Sequence, residues 1–99
     1  MRLSDHDRQA IRQITTELAG PEARVLLFGS RTRDDLRGGD IDLLVEMPAV
    51  TAERWALSHR LGAKLQRAIG LRKIDILVAD PATPSSPVLV AARRDDIAL

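Results

Sequence analysis

The stretch that most constrains this chain is residues 40–46, D-I-D-L-L-V-E. Its alternation puts Ile41, Leu43 and Val45 on one face of a strand, with Asp40, Asp42, Leu44 and Glu46 on the other. Asp40 and Asp42 then stand roughly 6.6 Å apart along the strand. Two carboxylates so placed repel unless a cation or a proton lies between them. D-x-D after Gly38-Gly39 also suits a solvated turn, but Asp42 leads directly into Leu43, Leu44 and Val45, where an acid without a partner is costly to bury. Residues 73–79, K-I-D-I-L-V-A, repeat the pattern: Asp75 and Leu77 oppose Ile74, Ile76 and Val78, and no turn accounts for the acid. Hard cations take carboxylate oxygens, and two Mg²⁺ about 3.5–4 Å apart would fit three converging carboxylates. Glu46, four residues beyond Asp42 and so roughly 13 Å away along the strand, is too far to join them.

The rest of the chain supplies a scaffold for these strands. Ser4 begins residues 4–19, an amphipathic helix with Ala10, Ile11, Ile14 and Leu18 on its apolar side, ended by Gly20-Pro21. Residues 24–28 form a short apolar strand of the kind covered on both faces. Residues 52–69 read as a helix with a stripe of Trp55, Leu61, Leu65 and Ile69, which places Trp55 in the core and His59 outside it; Gly70 closes the helix. Asp80-Pro81 is a turn, and residues 86–98 are either a short helix or an extended tail. The expected architecture is α/β in the α+β sense, a small mixed sheet of three or more strands with helices packed on it, forming one domain over residues 1–99.

Composition narrows the function classes. The chain has no cysteine, hence no disulfide, thiolate nucleophile or Cys-ligated zinc. The N-terminal M-R-L-S-D-H-D-R lacks a signal-peptide core, and no apolar run nears the ~18 residues of a membrane span, so a cytoplasmic setting is expected. A net charge of +1 is a poor footprint for a long polyanion. The arginines are nevertheless uneven: Arg31, Arg33 and Arg37 crowd one loop, which suits a small, highly charged ligand.

That loop follows Gly29-Ser30, where glycine permits close backbone approach to a phosphate and serine adds a hydroxyl donor. No G-K-[ST] follows, so this is not a P-loop. Taken together, L-F-G-S-R-T-R, D-I-D-L-L-V and the later I-D-I-L-V resemble the minimal nucleotidyltransferase domain of the DNA polymerase β superfamily, over roughly residues 5–80. Nine residues, 31–39, separate Gly-Ser from D-x-D, one fewer than in the commonest form of the signature.

The resemblance implies a polymerase β-like fold in which Asp40, Asp42 and Asp75 are catalytic and bind two Mg²⁺. Asp75 would also help to deprotonate the acceptor. Gly29 and Ser30, with Arg31, would hold the phosphates of a nucleoside triphosphate, ATP by family inference. The implied reaction moves a nucleoside monophosphate to a hydroxyl and releases pyrophosphate. Larger members carry an extra acceptor domain, which this length does not accommodate, so the acceptor is expected on a partner. Minimal members resemble MntA-type antitoxins, which place AMP on a tyrosine of a HEPN-domain ribonuclease toxin. This chain has no tyrosine of its own. Two other readings stand beside this one: a non-catalytic antitoxin that neutralises its toxin by covering it, and a small-molecule nucleotidyltransferase. The P-V-L-V-A-A segment is a candidate surface for a homo-oligomer, though packing on the domain's own sheet is the simpler expectation.

Overall fold

The computed structural model describes residues 4–28, 41–70, 73–87, 89–90 and 97–99. Helix α1 spans Asp5–Ala19; the Ser4 hydroxyl caps it by accepting from the Asp7 amide at 3.0 Å, with Asp5 and Asp7 in the first turn where the helix dipole favours acids. It ends at Gly20, whose φ of 100° is a conformation that costs other residues dearly, and the Gly20 amide donates to the Thr16 carbonyl. Strand β1 (Arg24–Phe28) runs antiparallel to β2 (Ile41–Glu46), Arg24 opposite Glu46 and Phe28 opposite Asp42. Helix α2 (Arg54–Ile69) then crosses over to β3 (Ile74–Ala79), which lies parallel to β2, as a helical crossover permits. A two-residue strand β4 (Ile97–Ala98) pairs with β1, giving the order β3-β2-β1-β4.

Both helices cover one face of this sheet. Ile11 and Ile14 of α1, and Leu57, Leu61, Leu65 and Ile69 of α2, pack on Val25, Leu27, Ile41, Leu43, Val45 and Val78. The opposite face carries a smaller cluster, Leu26, Leu44 and Ala79 beneath Leu89, with Leu77 at its margin. The alternation read from the two acidic strands is therefore the alternation of the fold, and Asp42 and Asp75 belong to the face opposite α1 and α2. Both of the forms considered for residues 86–98 occur, with residues 89–90 helical and Ile97–Ala98 a strand. Leu89 packs the segment onto the domain's own sheet.

One expectation fails. Trp55 is 78% exposed, not buried. The buried stripe of α2 is Leu57, Leu61, Leu65 and Ile69, and Trp55, two residues before Leu57, is turned about 200° from it at roughly 100° per residue. The helix also starts at Arg54 rather than at residue 52.

Asp80 does more than turn the chain. Its buried carboxylate accepts from the backbone amides of Thr51 (2.7 Å) and Ala82 (2.9 Å) and from the Thr83 hydroxyl (3.1 Å), with the Arg54 guanidinium 3.5 Å away. Arg54 also donates to the Thr83 hydroxyl. This knot ties the start of α2 to the end of β3, in place of a side-chain cap from Glu53. The Thr51 amide, foremost, and then the Thr83 and Ala82 donors and Arg54 hold the Asp80 carboxyl below its ordinary value of 3.8, against the opposing effect of burial. A depressed carboxylate stabilises the fold above its unfolded-state pKa, and that stabilisation is lost as pH falls through the folded value. Urea midpoints of the wild type should accordingly hold steady near neutrality and drop once the pH passes below 3.8, whereas Asp80→Asn should start lower at neutral pH and lose part of that acid-limb slope. Identical acid limbs would remove Asp80 from the account.

Candidate active site

The parallel pairing of β2 and β3 sets Asp42 beside Asp75, Cα partners in register. Partnered residues on adjacent strands point to the same face, and the strands lie about 4.8 Å apart. The two acids thus project side by side from the face opposite α1 and α2, at the end of the sheet where β2 begins. Asp42, on the central strand between Phe28 and Asp75, is half-buried; Asp75, on the outer strand, is exposed. Leu44 and Leu77, the next pair along the same face, close the floor beyond them. Of the other residues singled out in the sequence, Gly29, Ser30, Arg31 and Asp40 lie outside the described residues. Gly29 follows Phe28, which is paired with Asp42 on the side of β2 away from β3.

Two adjacent carboxylates on a shallow face match the donor chemistry of a divalent cation, which takes oxygen ligands. Among the described residues no group of three or more acids or histidines comes together as a metal site. The two-acid arrangement is the part of the three-aspartate set that the described residues contain, and it fits.

A groove of about 710 Å³ opens beside Asp75, and sequence reasoning missed it. Arg54, Trp55, Ser58, His59, Gly62 and Ala63 of α2 form one wall; residues 74–78 of β3, Asp75 included, form the other, with Thr83 also lining it. Trp55 and His59 stack, ring centroids 5.4 Å apart and planes 27° from parallel. The signal was available: once Leu57 is included in the apolar stripe, Trp55 and His59 fall together, four residues apart, on a different face of the helix.

Residues 8–93 match the family model described as "Nucleotidyltransferase domain". No curated protein matches the chain at a significant level. No helix among the described residues is long and apolar enough to cross a membrane.

Proposed function

Because this chain belongs to the nucleotidyltransferase domain family, we propose that it transfers a nucleoside monophosphate, AMP from ATP, to a hydroxyl on a partner protein, and that it serves as the antitoxin to a HEPN-type ribonuclease toxin. The observation that carries the reading is the in-register pair Asp42 and Asp75 on the open face of the sheet. Asp42 and Asp75, with Asp40, would hold Mg²⁺. When bound, the metal neutralises charge on the phosphates and lowers the pKa of the attacking hydroxyl.

The protein's own residues divide the remaining work by strand. β1 leads the chain past Asp42 into Gly29, Ser30 and Arg31, which would grip the β- and γ-phosphates. Asp75 stands on the other side of Asp42, where it would take the acceptor's proton. Displacement at phosphorus proceeds with attacking and leaving oxygens roughly in line. The acceptor oxygen bonds to the α-phosphorus, the bond to the bridging oxygen breaks, and pyrophosphate leaves with the electron pair toward the β1 side. The acceptor therefore approaches from the β3 side.

Incubation with α-labelled ATP, Mg²⁺ and the protein encoded by the neighbouring gene tests the proposal. Label should appear on that protein, vanish when EDTA removes the metal, and fail to appear from γ-labelled ATP, whose label departs in pyrophosphate. Label from the γ position would make the protein a kinase; no pyrophosphate release under any condition would end the transferase reading.

A further inference from the structure

β3 is the outer strand of the sheet, six residues long, and among the described residues no strand pairs with its free side. The Lys73 and Ala79 carbonyls accept from the Ile41 and Met47 amides of the β2 segment at 2.8 and 2.7 Å. A strand alternates the direction of its polar groups residue by residue, so Ile74, Ile76 and Val78 turn their N–H and C=O groups away from β2. These same residues line the groove. The groove also takes in Asp75 and Leu77, whose side chains belong to the opposite face, so it includes the edge of the strand itself. Such an edge is a template for another strand.

We propose that the groove at the β3 edge receives the acceptor as an extended segment of the partner protein, added to the sheet as a further strand, with its hydroxyl residue over Asp75 and the residues on either side of it turned toward the Trp55–His59 stack. The inference rests on the transferase reading above and names how that site takes its substrate. Two observations fix the occupant. Asp75 lines the groove and is the in-register partner of Asp42, so the groove meets the acid pair at its β3 member, the one assigned above to the acceptor's proton. The period of a strand then sends side chains alternately to the two faces: the hydroxyl residue to the face of Asp75, its neighbours to the face of α2, where an exposed indole stacked on an imidazole offers a broad apolar surface. The Asp80 knot holds Arg54, and with it the first turn of α2, against the end of β3, so that surface is already in place before a ligand arrives.

The test uses an array of seven-residue peptides with a central Ser, Thr or Tyr and randomised flanks, labelled with α-labelled ATP and Mg²⁺. The wild type should favour large apolar residues at the positions immediately before and after the hydroxyl. Trp55→Ala should erase that preference, lowering the label on the best peptides by about tenfold or more. Ile74→Pro removes an outward N–H at the first residue of the strand, where proline is tolerated, and should depress labelling of every peptide while far-ultraviolet circular dichroism stays unchanged. A second readout needs no turnover. Trp55 is the sole tryptophan and the chain has no tyrosine, so binding of the best peptide, with its hydroxyl residue replaced by alanine, should shift the indole emission to the blue.

Labelling that both substitutions leave unchanged, and wild-type emission that does not move when the peptide is added, with wild-type pyrophosphate release intact, would overturn the inference and leave the transferase reading standing. No pyrophosphate release from the wild type would remove both. An emission shift produced by Mg²⁺–ATP without peptide would assign the stack to the nucleobase instead. Sedimentation showing a dimer that Ile74→Pro dissociates would assign the edge to a second copy. Either result overturns the proposal.

Discussion

Replacing Asp42 with asparagine should lower nucleotidyl transfer by about a thousandfold or more, equivalent to roughly 4 kcal/mol of transition-state stabilisation at 1.36 kcal/mol per tenfold. Asn keeps the size of the side chain and its place in β2, between Phe28 and Asp75, but removes the charge that would hold a metal and, with it, the phosphate. The measurement is label transfer from α-labelled ATP to the partner, beside a pull-down of the complex and a toxicity assay in cells. The complex should survive, since the groove proposed to take the partner's segment is lined by α2 and β3 and not by Asp42. Transfer at the wild-type rate would disprove the site. Loss of transfer with neutralisation intact would show that the protein silences its toxin by covering it, whatever chemistry it performs.

The second large effect is structural. Leu61 is fully buried on α2, in the core cluster it shares with the sheet strands and with Ile11 and Ile14 of α1. Leu61→Ala should cost about 3 kcal/mol, within the range for buried leucines, through lost transfer energy and the cavity left behind. Against a total stability of roughly 5–15 kcal/mol for a domain, that should bring the urea midpoint down by about 1–3 M. Trp55→Ala, at an exposed position six residues earlier in the same helix, should change stability by less than about 0.5 kcal/mol. A large loss from Trp55→Ala and a small one from Leu61→Ala would mean that α2 is rotated relative to the arrangement described.

The two helices and the three longer strands were legible because each carries a period that only one local structure satisfies. Ser4, Gly20 and Gly70 mark their boundaries through cap geometry that leaves little choice. Trp55 misled because its hydrophobicity was given more weight than its angle, when the leucines from 57 to 65 already defined the buried direction. β4 escaped notice because two residues carry no period, and only their pairing with Leu26 and Leu27 makes them a strand. The role of Asp80 was hidden for a related reason: Asp-Pro reads as a turn whether or not the carboxylate gathers donors from a segment far away in sequence. For the site, the spacing of D-x-D and a distant lone aspartate suggested convergence, but only the parallel register places Asp42 and Asp75 at one level. That pairing depends on α2 returning the chain to the neighbouring strand, a long-range result that no local pattern contains.

The crossover also sets when the site comes into being. Asp42 and Asp75 are separated by an entire helix in the chain and meet only after β3 docks on β2 in parallel, a non-local pairing whose loop must close before any contact rewards it. During synthesis, a ribosome that has released β2 and α2 but still holds β3 in its tunnel carries half of the acid pair and only one wall of the groove. Any partner that recognises the finished edge will therefore ignore a nascent chain. Acquisition of activity in a coupled translation assay should then report the docking of a single strand.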